Sequence, residues 1–231
     1  ELLPYGIKLK RRGKKVIFDS HELYAVQLRQ KPYLPGWCTR IIAFGYARYE
    51  RYVLRRLDGA IFPCTVNGED PFAGRCPHTA LVDNSVKLED FYERYDPEAV
   101  RNQDQICLTG SLTEARGITS AIRAAASAKC TLALAGPISP ADYEAQLLNM
   151  PEFSSVDYRG VLAKDQVAAL LQTSRVGLSP LLNQGQYWKA ENLATKICEY
   201  LAMGLPVVMN GSAYNRAFVE RWHCGICVDS E

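Results

Sequence analysis

From Ile106 to Asp229 the chain alternates short apolar runs with longer segments whose apolar residues recur at threes and fours. The runs "ICLTG", "TLALAG", "VDYRG", "VGLSP", "PVVMN" and "ICVD" predict strands. Between them, a segment from about Ala115 to Ala128, "PADYEAQLLNM", "KDQVAALLQTS", a segment ending at Met203 and "AYNRAFVERWH" predict helices. Strands alternating with helices of this length mean βαβ units, hence a parallel sheet with helices on both faces.

The earlier part is sparser. "VIFD" (Val16 to Asp19) reads as a buried parallel strand, and "GAIFP" (Gly59 to Pro63) and "ALVD" (Ala80 to Asp83) are further strand candidates. From Thr39 to Leu57, Ile41, Ile42, Tyr46, Tyr49, Val53 and Leu57 recur between arginines, which predicts an amphipathic helix. Residues 85–105 are charged and carry no strand pattern, as expected of a crossing between domains. The expected organisation is α/β, with one Rossmann-like parallel-sheet domain over residues 1–100, crossing included, and a second over 101–231.

In such sheets ligands collect outside the carboxyl ends of the strands. The residues just past those ends are His21 and Glu22, Gly110 onward, Gly136 and Pro137, Gly160 to Leu162, Ser179 and Pro180, and Asn210 and Gly211. Gly110 and Gly117 are too far apart for a GxGxxG dinucleotide fingerprint, and no GxxxxGK[ST] phosphate loop occurs.

Composition adds bounds. With 231 residues, 48% of them hydrophobic and 23% charged, the chain suits a soluble globular protein, and a net charge of +2 is too mild to imply nucleic acid. No run of about 18 apolar residues spans a bilayer, and the N-terminus lacks a secretory pattern, so the expected location is cytoplasmic. Of eight cysteines only Cys224 and Cys227 have ligand-like spacing, without a second pair to complete a zinc site. That stretch predicts instead a helix stopping at Gly225 and a strand from Ile226 to Val228. The cluster of Lys8, Lys10, Arg11, Arg12, Lys14 and Lys15 has two readings. One is peripheral contact with anionic lipid at the inner face of a membrane, worth about 1 kcal/mol per basic residue. The other is a solvated helix end turning at Gly13.

Chemistry concentrates in "ENLATKICEYLAMGLPVV", Glu191 to Val208. On one unbroken helix Glu191 and Glu199 would stand about 12 Å apart along the axis, too far for a catalytic pair. If the helix begins near Leu193, Glu191 lies in the preceding loop, and the first-turn N–H groups with Lys196 favour a phosphate. Two solvated charges are the alternative.

The stretch "KICEYLAMGLPVV", with a glutamate eight residues before Glu199, resembles the E-x7-E region of retaining glycosyltransferases of family four, which have the GT-B fold. "LTGSLTEARGI", "LALAGP" and "VDYRGVL" with "VAALLQTSRVGLSPL" resemble that family's second domain in order and spacing, and "VIFDSHE" resembles an element of its first. The resemblance implies two Rossmann-like domains, the first truncated, in a piece of a longer protein.

It also implies roles. Glu199 would hold the ribose hydroxyls of a nucleotide-diphosphate sugar, and Glu191 the hydroxyls of the transferred sugar. Asn192, Ala194, Thr195 and Lys196 would lie near the donor, as would Gly110. Arg116 would meet the diphosphate, Gly160, Val161 and Leu162 would border the base, and His21 would approach the sugar from the first domain. Ser111 stands where the family often has a second basic residue. The implied activity is transfer of a sugar to a hydroxyl acceptor with retention, in polysaccharide or glycoconjugate synthesis, without metal or cofactor; the acceptor, lipid-linked or otherwise, is open. A nucleotide-sugar-binding piece without activity, and a sugar-nucleotide epimerase, are the alternatives.

Overall fold

In a computed structural model that describes residues 2–21, 24, 28, 35–182 and 190–229, the fully buried Cys107 and Leu108 lie side by side on the central strand of a six-stranded parallel sheet and face opposite ways. The strands are β5 (Gln105–Thr109), β6 (Thr131–Ala135), β7 (Val156–Tyr158), β8 (Val176–Ser179), β10 (Val207–Asn210) and β11 (Gly225–Val228). Their order is β11-β10-β8-β5-β6-β7. The order reverses between β5 and β8, and a crevice for ligands opens at such a switch point.

Because side chains alternate along a strand, each apolar run serves two cores. Leu108, Leu132 and Leu134 pack against Ile118, Ala121, Ile122 and Ala125, one face of helix α4 (Ile118–Ser127). Cys107, Ala133 and Ala135 face the other way, toward α6 (Lys164–Thr173) and α7 (Thr195–Ala202), which supply Ala168, Leu171, Ile197 and Tyr200. Each large aliphatic side chain so buried contributes about 1.5–3 kcal/mol.

The chain divides into two compact units. One comprises Glu1–Asn84 with Gly185–Asn192, the other Ser85–Gln184 with Leu193–Glu231. The expected crossing clusters with the second unit. Its helix α3 (Leu88–Phe91) buries Phe91 in the core, and the Arg101 guanidinium donates to the carbonyls of Leu171, Ser174 and Met203.

The first unit holds a three-stranded parallel sheet, β1 (Ile17–Asp19), β2 (Gly59–Phe62) and β4 (Thr79–Leu81), in the order β1-β2-β4. Helices α1 (Leu3–Arg11) and α2 (Gly36–Leu54) belong to it, with Leu3, Val53, Leu54, Leu57 and Phe62 in its core. The expected turn at Gly13 is present, with φ of 72°. Lys10 pairs with Asp58 at 2.9 Å. A two-stranded antiparallel ladder joins β3 (Thr65–Val66) to β9 (Ala190–Glu191).

Several expectations are corrected in detail. Helix α2 starts three residues before Thr39 and ends at Leu54 rather than Leu57. The segment from Glu114 to Arg116 is a 3-10 turn, and α4 begins only after Gly117, whose φ is 72°. A β-carbon on Gly117 would stand 1.9 Å from the Pro180 carbonyl oxygen, so close approach of two loops breaks the helix there. Helix α8 (Ala213–Trp222) is capped by Ser212, whose hydroxyl accepts from Asn215 N, and it ends at His223 in the left-handed conformation. The expected stop at Gly225 is wrong, because that glycine serves the sheet. A β-carbon there would meet the Val207 carbonyl oxygen at 2.0 Å. Cys224 and Cys227 pack, partly buried, against the core. Among the described residues no helix is long and apolar enough to cross a membrane.

Candidate functional site

Three glycines close the carboxyl ends of β5, β6 and β7. Gly110 N donates to Ala135 O at 2.9 Å, and Gly136 N donates to Gly160 O at 2.7 Å. Gly136, at φ of 141°, lies so near Gly110 that a β-carbon on it would overlap the Gly110 carbonyl oxygen. Gly110 and Gly136 line one wall of a cleft of about 340 Å³ within the second unit, whose lining also includes Ser111, Val161, Leu162, Lys164 and Glu199.

The base of the cleft is set by α7. Its N-cap is Ala194, which offers no side-chain acceptor, and no acidic residue occupies its first turn. Lys196, on that turn, is 6% exposed, and among the described residues its ammonium has no hydrogen-bond partner. The side chain points at Gly110: Nζ lies 3.8 Å from where a β-carbon on that glycine would stand. Burial, and then the Arg116 guanidinium, lower its pKa to about 7, while Glu199 and Cys107 act in the opposite direction. The neighbouring Glu199 carboxyl is pushed up by burial and pulled back by Lys196 and Lys164. Burial raises the Cys107 thiol to about 12. Burial and a neighbouring guanidinium both penalise the charged form of Lys196, and an anion held beside them would offset both penalties. Ser179 Oγ, at the end of β8 across the switch point, is also buried without a hydrogen-bond partner among the described residues.

Of the residues singled out in the sequence, Gly110, Arg116, Gly160, Val161, Leu162, Ala194, Thr195, Lys196 and Glu199 fall in the second unit. Among them Gly110, Val161, Leu162 and Glu199 line the cleft, while Lys196 lies against Gly110 with Arg116 close enough to perturb its charge. Thr195, not Leu193, is the first helical residue.

Glu191, Asn192 and His21 belong to the first unit. Glu191 stands on β9 rather than in a loop, and its Oε2 accepts from Thr65 Oγ1 at 2.6 Å and from Gly68 N at 2.8 Å. Asn192 Nδ2 donates to Pro63 O at 3.4 Å, and its side chain bonds Asp83. His21 is exposed, with Nε2 3.6 Å from Asp19 Oδ2. Glu22 lies outside the described residues.

Lys164 was not foreseen. It lines the cleft at the start of α6, and its ammonium bonds Asp90 at 2.6 Å. The strand-end rule could have found it, since it stands two residues beyond Leu162. Ser179 was named only as a strand end, and its burial has no signature in sequence.

Residues 120–230 match the family model described as "Glucosyltransferase 3-like, C-terminal domain". No curated protein matches the sequence. Solved structures do. Sucrose-phosphate synthase from Thermosynechococcus elongatus aligns with a TM-score of 0.72 at 18% identity, over 98% of this chain and 58% of its own. WaaG, a glycosyltransferase involved in lipopolysaccharide biosynthesis, gives 0.66 at 16% identity over 98% and 67%. Anabaena HepE, in complex with UDP and glucose, gives 0.61 at 15% over 94% and 59%. The chain thus spans between 58% and 67% of the length of these proteins. At such identities the likeness speaks for the fold: the chain has the Rossmann-like architecture of GT-B glycosyltransferases, and its second half matches the glucosyltransferase 3-like C-terminal domain.

Proposed function

We propose that the second unit binds a nucleotide-diphosphate sugar and that the protein to which this chain belongs transfers the sugar to a hydroxyl acceptor with retention. The observation that carries the reading is the buried Lys196 ammonium beside Gly110, without a hydrogen-bond partner among the described residues and with the Arg116 charge near it. The complexes of HepE with UDP and glucose support uridine as the base.

The diphosphate lies over the start of α7, where the first-turn N–H groups have no intrahelical partner. Lys196 and Arg116 meet its charge, which grows as the bond from the anomeric carbon to the phosphate oxygen breaks. The acceptor hydroxyl attacks from the face that the diphosphate leaves, and its proton passes to the departing phosphate oxygen. No resident metal or cofactor takes part in this scheme. Glu199, an acceptor with two oxygens, holds the ribose hydroxyls, and Val161 and Leu162 border the base. Glu191 and His21 act on the transferred sugar. The acceptor is a hydroxyl of a growing glycan or glycoconjugate.

Calorimetric titration with UDP tests the reading, using the native chain, Lys196→Met and Glu199→Ala, with turnover of a UDP-sugar measured in parallel. Native binding that weakens at least tenfold in both variants is expected. Failure of any nucleoside diphosphate to bind overturns it. Binding without turnover favours a piece that binds only, and epimerised donor in the absence of acceptor favours the epimerase.

A further inference from the structure

Helix α2 carries two unlike faces. Thr39, Ala43, Glu50, Val53 and Leu54 are buried. At 100° per residue these define an inward side, and the residues opposite it are Trp37, Ile41, Phe44, Arg48, Tyr52 and Arg55. All six are exposed, Trp37 at 67% and Phe44 at 62%. Arg40 and Arg51 flank this ridge and are exposed as well. The outward face therefore pairs large apolar side chains with arginines and has no carboxylate. Glu50, the only acid on the helix, faces inward, where Arg75 lies 3.6 Å away.

A solvated helix mixes acids with its bases and does not present tryptophan, isoleucine and phenylalanine in a row. Here the apolar residues take the first half of the ridge and the arginines the second. Arg48, Arg51, Arg55, Arg56 and Arg75 line a cleft of about 590 Å³ with Phe44 and Tyr52. Among the described residues, none of Arg48, Arg51, Arg55 and Arg56 has a carboxylate in ion-pair range.

We infer that the outward face of α2 docks on an anionic lipid surface, with Trp37, Ile41 and Phe44 entering the headgroup boundary and the arginines meeting lipid phosphates. A helix lying in the plane of a membrane needs this combination of apolar anchors and unpaired cations. A nucleic acid would use the arginines and could stack on Trp37, but it has no use for Ile41 beside them. Helix α1, which shares a core cluster with α2 through Leu3, also exposes Tyr5 and Leu9. The inference does not depend on the transfer reaction.

The test is co-sedimentation of the native chain with vesicles of phosphatidylcholine alone and of phosphatidylcholine with 30% phosphatidylglycerol. Variants are Ile41→Ser/Phe44→Ser, Arg48→Glu/Arg55→Glu and, away from α2, Lys14→Glu/Lys15→Glu. All the substituted side chains are exposed, and circular dichroism confirms that each variant folds. Expected is at least tenfold preference for the anionic vesicles, at least tenfold weaker binding in both α2 variants, and less than a threefold loss in the lysine variant. Equal binding to both vesicles, or none, overturns the inference. So does a loss confined to the lysine variant, or tighter binding to a short DNA duplex than to the anionic vesicles.

Discussion

Lys196 is packed against Gly110, its ammonium 3.8 Å from the point where a β-carbon on the glycine would stand, and among the described residues no hydrogen bond satisfies it. Sequence neighbours do not explain this contact. It exists because α7, following β8, and the loop leaving β5 meet at the place where the strand order reverses.

Lys196→Met tests what the charge is for. Methionine keeps the length of the stem and removes an ion that is costly to bury, so the folded chain should gain about 1–2 kcal/mol in urea unfolding at pH 7. UDP affinity should fall at least tenfold in the same variant. Lower stability would mean that the ammonium is satisfied by a group inside the protein.

The pH dependence of that gain has a definite sign. Lys196 releases its proton at about 7 in the folded chain, against 10.5 for an ordinary lysine. Between those values the unfolded chain binds more protons, so this group makes the folded state more stable as pH rises. The advantage of Lys196→Met over the native chain should therefore shrink from pH 7 to pH 10, as measured by parallel urea titrations.

Binding of a diphosphate should recharge the amine. At pH 8 most Lys196 side chains are neutral, so UDP binding should take up close to one proton, and about half a proton at pH 7. Calorimetry in two buffers of different ionisation enthalpy reads the number directly. The uptake should vanish in Lys196→Met.

Glu191 and Glu199 belong to different units, and the proposed reading gives them different roles. Thr65→Val removes a charge-assisted donor to Glu191 and should cost about 1–2 kcal/mol of stability. Thr65→Val and Glu191→Gln should leave UDP affinity within twofold of native while lowering sugar transfer at least tenfold. If transfer were unchanged in both, Glu191 would serve only to tie β9 to β3.

Tyr200 stacks over Gly177, where an added β-carbon would come within 2.3 Å of the ring. Its hydroxyl accepts from Thr109 N at 2.9 Å, which holds the end of β5. Gly177→Ala should destabilise by about 2–3 kcal/mol through overpacking. Tyr200→Phe should cost about 1–2 kcal/mol, because the Thr109 N–H loses a buried acceptor. Thermal unfolding distinguishes these costs, and the double variant should be less destabilised than their sum, since the two residues touch.

The alternation of strands and helices after Ile106 was legible because each apolar run is bounded by turn residues, and each helix repeats its buried positions at threes and fours. The strand-end rule groups Gly110, Gly160, Val161 and Leu162 at one edge of the sheet, and the spacing of Glu191 and Glu199 singles out the segment that contains α7. Lys196 was legible as a residue near the donor, though its burial was not.

What the sequence alone determined is local: period, glycine at tight loops, and the order of βαβ units, all of which depend on neighbours along the chain. What only the tertiary structure decided depends on residues far apart meeting. His223 rather than Gly225 ends α8, because Gly225 must let β10 come close. Glu191 is held by Thr65 and Gly68, more than a hundred residues away. The charge on Lys196 is tuned by the removal of water around it and by Arg116, eighty residues earlier in the chain. Desolvation and charge proximity are properties of three-dimensional packing, and no periodicity along the chain encodes them.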